Sequence, residues 1–311
     1  MTSTKNWPNI EQFNSEETSV KKFVFTKDDA VVESVLYAYP DYLTRTVICC
    51  SVQSGCPVGC TFCGTGKYFV RNLTVNEVLE QVEYSLSMTG QDPHKIDKLQ
   101  IMFMSMGEPM LTPNTMEQVL EELASRYPAA ALLVSTSGPD VDYQWLFEQA
   151  SRIPNIGLQF SVHESLDEER SKLIPFKAKL DLQGIAQKGE EFYAATGRSP
   201  FFNYCTHIGN DTEEDAQRLS EVFKPETWQA TVSVICEKDI TKGRDTEAWK
   251  MATSFSEKLL NYGYGVRVFD PAGQDDIGGG CGQLHFVQQW MENNPDKARK
   301  SSGCKQKENA Q

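Results

Sequence analysis

No apolar run in this 311-residue sequence approaches the roughly 18 residues a membrane-spanning helix needs, which excludes a helical membrane protein and leaves no membrane partner to expect. The opening stretch, Met1 to Pro8, also lacks the apolar segment of a secretory signal. A cytoplasmic location is therefore expected, where cysteines stay reduced and clustered ones point to metal or catalysis rather than a disulfide framework. No internal repeat or low-complexity block is present, so a solenoid is excluded. Positive charge is scarce. Against 43 acidic residues stand 30 Lys and Arg, a net charge of -13. Such a charge repels nucleic acid at long range, although a local basic patch can still hold phosphates. With 40% hydrophobic and 10% aromatic residues, the chain can bury a substantial core in one large domain or two small ones.

Cysteine is the residue present in an informative pattern. Of nine cysteines, Cys56, Cys60 and Cys63 fall in one short loop with C-x3-C-x2-C spacing. Three close thiolates are soft ligands for iron or zinc. The loop itself offers no fourth ligand. A [4Fe–4S] cluster held by three cysteines keeps one iron open to bind a small molecule and pass it an electron. This spacing resembles that of the radical S-adenosylmethionine (SAM) enzymes, in which the amino and carboxylate groups of SAM chelate that iron. Two plainer readings remain. Cys49, Cys50 or a distant His could complete a structural zinc site, which takes four ligands. Alternatively, the three could be buried thiols acting as small hydrophobes. Phe62, next to the last cysteine, suits an aromatic wall beside a cluster.

Residues 1–18 are polar and read as a loose arm. Two β-rich runs follow within 21–38, separated by Lys27-Asp28-Asp29, and predict a β-hairpin. From residue 44 the pattern alternates strand and helix. Strands are predicted at 44–52, 99–105, 131–136, 156–162, 201–207, 230–236 and 265–269, most of them short apolar runs suited to a parallel sheet. A helix starts at Thr74 with Glu77 completing a capping box, and Val75, Val78, Leu79, Val82 and Leu86 form its apolar face. A second begins near Asn114 with Glu117 in the capping position and Met116, Val119, Leu120 and Leu123 inward. A third follows Asp211-Thr212, with Leu219, Val222 and Phe223 inward. This order predicts an α/β fold, a partial (β/α)6 barrel with a short N-terminal β-hairpin extension. The expected division is an arm and hairpin at 1–43, the barrel with a cysteine-bearing loop at 44–285, and a C-terminal helix and tail at 286–311. Chemistry in such barrels sits at the C-terminal ends of the strands, where the cysteine loop falls.

Other candidates lie at the same end. Met104 to Pro109 closes the second strand. There Gly107 allows close backbone approach and Glu108 can accept hydrogen bonds from an ammonium group. Ser135-Thr136-Ser137-Gly138 closes the third, offering hydroxyls for ribose or carboxylate, or simply a helix N-cap. Ser161-Val162-His163 closes the fourth, with His163 either touching ligand or resting as a satisfied polar residue. Near the end of the chain Cys281 sits among Gly278, Gly279, Gly280 and Gly282, a loop able to carry a reactive thiol or one of no consequence. Alternation along the first strand sends Cys49 and Cys50 to opposite faces, one inside the barrel and one outside. Cys205 and Cys236 read as core, and Cys304 as a tail thiol.

Taken in order, the stretches Val47-Ile48-Cys49, Gln53-Ser54-Gly55-Cys56 with Cys60 and Cys63, Arg71-Asn72-Leu73, Met106-Gly107-Glu108-Pro109, Ser135 to Gly138, Ser161-Val162-His163, Asp276-Ile277 and Cys281-Gly282-Gln283-Leu284 resemble the RlmN/Cfr family of radical SAM RNA methyltransferases. The match spans residues 21–285, and the pair Cys49 and Cys281 narrows it to that family. The resemblance implies that Cys56, Cys60 and Cys63 hold a [4Fe–4S] cluster. It implies that Gly107, Glu108, Ser135, Ser161, Val162 and His163 bind SAM. It makes Cys281 the residue that is methylated and delivers carbon to an adenine of RNA, at C2 by default or at C8. Cys49 then helps release the product, leaving a disulfide with Cys281. Ribosomal or transfer RNA and an electron donor such as a flavodoxin are the implied partners. The sequence departs from the family in three places. Only residues 1–43 precede the first barrel strand, where the family carries a longer accessory domain, so a partner protein is expected to stand in for it. The basic tail is thin, with Lys297, Arg299, Lys300, Lys305 and Lys307. Lys238 occupies the position of an Asn that contacts SAM.

Overall fold

The computed structural model describes residues 6–235, 246–269, 273, 276–280, 283–297 and 299–300. Among them the chain opens with three antiparallel strands, β1 (Asn9–Asn14), β2 (Val20–Lys27) and β3 (Ala30–Ala38). β4 (Thr46–Cys50) pairs antiparallel with β3 and starts a parallel series. The short strands β5 (Gln53–Gly55) and β6 (Tyr68–Asn72) flank the cysteine loop. The series continues through α1 (Val75–Ser87), β7 (Leu99–Phe103), α2 (Pro113–Arg126), β8 (Ala131–Thr136), α3 (Gln144–Arg152) and β9 (Ile156–Ser161). It ends with α4 (Asp167–Leu173), α5 (Leu182–Thr196), β10 (Phe201–Thr206), α6 (Glu213–Val222), β11 (Gln229–Val234), α7 (Thr246–Asn261), β12 (Gly265–Phe269) and α8 (His285–Asn293). Six crossovers thus link seven parallel strands in the order β4-β7-β8-β9-β10-β11-β12, and β1-β2-β3 extend the same sheet. This is the expected partial barrel. No helix among the described residues is long and apolar enough to cross a membrane.

The strands alternate sharply. Toward the helices they turn Leu99, Ile101, Phe103, Leu132, Val134, Leu158, Phe160, Phe202, Tyr204, Ala230 and Val232, all buried. Each such large side chain is worth about 1.5–3 kcal/mol when removed from water. Toward the barrel axis the same strands turn Gln100, Gln159, Asn203, Thr231 and Ser233. Parallel strands packed on both faces are usually apolar throughout. Among apolar neighbours such as Val47, Met102 and Leu133, these polar side chains give the inner wall the mixed lining of a ligand-holding cavity.

The hairpin over 21–38 is present as β2 and β3, but the arm before it is more ordered than its polarity suggests. Trp7 is fully buried and donates its indole N–H to the Glu77 carbonyl at 2.9 Å. Phe13 stacks on Phe286 of α8 with ring centroids 4.0 Å apart, and these two aromatics hold β1 against the sheet. The helix starts show two agreements and one correction. Thr74 and Glu77 form the expected capping box. The second helix instead starts at Pro113 after Thr112, with no side-chain cap, because proline at the first helical position has no N–H to satisfy. Thr212 caps α6 through a box with Asp215.

Glu77 has a second task. Both its oxygens take Arg71, at 2.8 and 2.9 Å, and Lys27 also pairs with it, while Arg71 reaches on to Asp29 in the β2–β3 turn. Burial works against the Glu77 charge, but the hydrogen bonds from Arg71 and Lys27 and the Thr74 amide outweigh it and hold the carboxyl at about 2. A depressed folded pKa stabilises the fold above the ordinary value of 4.5 and loses that contribution as pH falls toward 2. Glu77→Gln should therefore cost about 2 kcal/mol at pH 7. In thermal unfolding the gap to wild type should narrow steadily below pH 4.5. A gap independent of pH would refute this assignment.

Candidate active site

β4 ends at Cys50, and its last residues split as alternation demands. Cys50 is fully buried on the helix side. Cys49 lines a cavity of about 560 Å³ inside the barrel. Burial pushes the Cys49 thiol up to about 12, so it rests protonated.

After β5 the chain enters the loop of Cys56, Cys60 and Cys63, all half-buried. Backbone bonds fix its shape, with the Cys56 amide on the Tyr68 carbonyl at 2.8 Å and the Thr61 amide on the Leu173 carbonyl at 2.9 Å. Gly66 lets the loop close on itself, since a Cβ there would lie 2.0 Å from the Cys60 carbonyl oxygen. Burial drives the Cys56 and Cys60 thiols well upward, and the neighbouring thiols and Glu108 push in the same direction. Three thiols beside a carboxylate are soft donors that a bound metal cation would draw into the thiolate form. Among the described residues no three His, Cys, Asp or Glu converge as the ligands of a single ion would. A four-iron cubane asks for a different arrangement, because each thiolate takes a separate iron and the sulfurs surround the cluster. The mutual influence of the three thiols and their shared loop fit that group.

The next strand supplies Gly107 and Glu108. Gly107 has φ of 97°, and an added Cβ would lie 2.8 Å from the Gln53 backbone nitrogen. Glu108 is buried and accepts four hydrogen bonds. They come from the Thr136 hydroxyl at 2.6 Å, the Met110 amide at 3.0 Å, and the Ser137 amide and hydroxyl, both at 2.7 Å. Its own amide donates to Gln53 Oε1 at 2.8 Å. Burial raises its pKa against these donors. The carboxylate therefore ties the end of β8 to the turn after β7, and the Glu108 amide ties that turn to β5. Thr136 and Ser137 are spent on Glu108 rather than on a helix, and α3 begins only at Gln144. Ser135 faces the axis, with Gln159 Nε2 3.5 Å from its hydroxyl.

At the end of β9, the amides of Val162 and His163 donate to the Asn203 carbonyl at 3.0 and 3.2 Å. His163 is buried with φ of 62°, and its Nδ1 accepts the Cys205 amide at 3.2 Å. Burial, with the nearby Arg170 charge, lowers it to about 3, so the ring is neutral. The edge of Phe62 meets this ring at 5.1 Å, bringing the cysteine loop against β9.

Several residues at the site carried no sequence signal. Arg170 on α4 is fully buried and donates to the carbonyls of Ser137 (2.6 Å), Leu180 (3.0 Å) and Ser161 (3.1 Å). Burial lowers its pKa to about 10, which leaves it charged at neutral pH. Lys22 is likewise buried, 3.5 Å from Glu33, and donates to the Gly278 carbonyl at 3.0 Å. The Tyr37 hydroxyl donates to the Gly279 carbonyl at 2.7 Å. The glycine loop is therefore moored to β2 and β3. Gly280 and Leu284, on either side of Cys281, line the cavity that Cys49 lines. The Gly280 amide also closes on Gln283 Oε1 at 2.6 Å. Cys281 itself, Lys238, Cys236 and Cys304 lie outside the described residues.

No family model matches the chain. Curated relatives do. It is 32% identical over 281 residues to the "Probable dual-specificity RNA methyltransferase RlmN" of Bifidobacterium adolescentis, covering 86% of this chain and 71% of the relative. It is 29% identical over 284 residues to the protein of the same name from Thermotoga neapolitana, covering 89% and 79%. Among solved structures it is similar to a radical SAM methyltransferase from Sphaerobacter thermophilus, with a TM-score of 0.74, 26% identity, and 88% and 79% of the two chains covered. Streptococcus suis SuiB bound to S-adenosylmethionine shares the fold, with a TM-score of 0.51 and 13% identity over 75% of this chain and 48% of that one. With relatives of this identity matched over most of their length, the chain belongs to the RlmN/Cfr family of radical SAM RNA methyltransferases, whose cofactors are a [4Fe–4S] cluster and SAM.

Proposed function

We propose that this enzyme methylates a ring carbon of adenine in RNA, C2 by default, through a methyl group carried on Cys281. The observation that carries this reading is the shared cavity, with Cys49 on one wall and residues from both sides of Cys281 on another. Cys56, Cys60 and Cys63 hold the cluster. Gly107, Glu108, Ser135, Ser161, Val162 and His163 form the SAM end of the site, with Lys238 as a further contact by its spacing from Cys281. When bound, the cluster supplies the electron that cleaves SAM and so opens a radical route to a carbon too poorly nucleophilic for ordinary methyl transfer.

The chain's residues do the rest. Cys281 presents its methyl carbon to adenine; that carbon would give one hydrogen atom to the radical made from SAM and bond to the ring carbon, which would lose its own hydrogen as a proton and return one electron to the cluster, leaving Cys281 joined to the ring through a methylene. Cys49, once its proton has left, attacks the Cys281 sulfur. The carbon–sulfur bond breaks, the carbon keeps the electron pair and takes a proton, and a Cys49–Cys281 disulfide remains for an external reductant. Glu108 and Arg170 hold the strand ends at which SAM lies. The electron donor is of the flavodoxin type, the RNA is ribosomal or transfer RNA, and the reaction belongs in the cytoplasm.

The test is anaerobic. The reconstituted enzyme is given SAM, reductant and total RNA from a host lacking the activity, and the RNA is digested for mass spectrometry. New 2-methyladenosine is the expected product, and 8-methyladenosine would move the ring position. 5′-Deoxyadenosine with unmodified RNA would shift the substrate to another class. Neither product from a cluster-loaded enzyme would favour a non-catalytic iron–sulfur protein.

A further inference from the structure

The barrel cavity has two unlike ends. Cys49, Met104 and Ser105 line one, beside the cysteine loop, while Arg45, Gln100, Phe201 and Arg267 line the other. Arg45 immediately precedes β4, four residue steps from Cys49, about 13 Å at ~3.3 Å per residue. That length suits a nucleotide lying with its base at the cysteines and its phosphate at the far mouth.

Arg45 and Arg267 are the cationic side chains of the cavity wall. Neither is ion-paired among the described residues, in a chain with 43 acidic side chains. Arg45 uses one N–H, from Nε to Gln100 Oε1 at 2.8 Å, and its guanidinium lies over the Tyr39 ring at 5.0 Å. The Arg267 guanidinium lies over the Phe201 ring at 4.7 Å. A guanidinium has five donors in a fork that matches phosphate, so among the described residues most of this capacity is unused. A ring beneath a guanidinium fixes its plane and leaves its N–H donors at the edge. An enzyme of net charge -13 must also meet RNA through local cations.

We infer that Arg45 and Arg267 clamp the backbone phosphates flanking the target nucleotide at the mouth opposite the cluster, with the Tyr39 and Phe201 rings beneath them holding the two guanidinium groups in place. This rests on the RNA reading above. The test is fluorescence anisotropy of the holoenzyme with fluorescein-labelled oligoadenylate RNA across a KCl series. Each of Arg45→Gln and Arg267→Gln should lower the slope of log affinity against log salt by about 0.7, and the double variant by about twice that. Arg45→Lys and Arg267→Lys keep the charge and should restore the slope, which separates phosphate contact from misfolding. A double variant with the wild-type slope would overturn the clamp while leaving the RNA reading intact. Absence of salt-dependent RNA binding by wild type would remove the RNA reading and the clamp together. Wild-type binding of polyglutamate in place of RNA, lost in the double variant, would assign the arginines to an acidic protein instead.

Discussion

Cys49→Ala should stop the enzyme after a single turnover with RNA covalently attached. The argument is geometric. Cys49 faces the cavity, and the backbone on both sides of Cys281 lines that cavity too. Without the Cys49 thiol, the proposed attack on the Cys281 sulfur loses its nucleophile, and the carbon bridge between Cys281 and adenine should persist. Free methylated RNA should fall by at least about a thousandfold, the scale lost when a residue of a covalent mechanism is removed. A labelled band should appear on a denaturing gel, and after nuclease and protease digestion the peptide containing Cys281 should carry a nucleotide mass. Cys50→Ala is the built-in contrast. One residue on, Cys50 is packed among the helices, and its thiol donates to the Met102 carbonyl at 3.6 Å. Its loss should cost about 1 kcal/mol of packing and trap nothing. Adduct formation by the Cys50 variant, or its absence from the Cys49 variant with active substrate, would refute the assignment.

Arg170→Met should produce the largest loss of stability. The guanidinium is fully buried and supports three backbone carbonyls from Ser137, Ser161 and Leu180. Methionine fills part of the volume but donates nothing. A buried acceptor left without its donor costs about 1–3 kcal/mol, so three together reach about 3–9 kcal/mol. The damage should not stop at stability, because Ser137 connects Arg170 to Glu108, and Glu108 connects onward to Gln53 at the base of the cysteine loop. SAM affinity of the folded fraction should fall at least tenfold. Arg170→Lys should recover part of both losses, because a single ammonium cannot fork between three carbonyls. Urea unfolding and equilibrium dialysis with SAM measure the two. An unfolding free energy within about 0.5 kcal/mol of wild type would show that the carbonyls find other donors.

Arg170 also shows why the sequence revealed some parts of the site and hid others. It lies in Asp-Glu-Glu-Arg-Ser-Lys-Leu, which has the composition of an exposed helix, and only the tertiary fold puts its guanidinium under two strand ends. Lys22 is concealed in the same way, sharing a short strand with Lys21, while the carbonyl it binds is 256 residues distant. The cysteine triplet, the Gly107-Glu108 turn and the strand ends were legible because their chemistry depends on local spacing. β1 escaped notice because Asn9–Asn14 gains its partners from Phe286 and β2 rather than from its own pattern. The polar residues between apolar ones in the barrel strands were visible as letters. Their meaning depends on which face turns inward, and that follows only from a closed topology.

The alternation along those strands separates two kinds of sequence change. A substitution at Ile101, Val134 or Val232 is felt by folding, because these side chains are packed among helices. A substitution at Gln100, Gln159 or Thr231 alters the lining of the cavity and leaves the helix-facing surface untouched. Residues adjacent in the gene thus answer to different selective pressures, and the barrel can exchange its inner lining, and with it the molecule it accepts, while the shell that folds it stays constant.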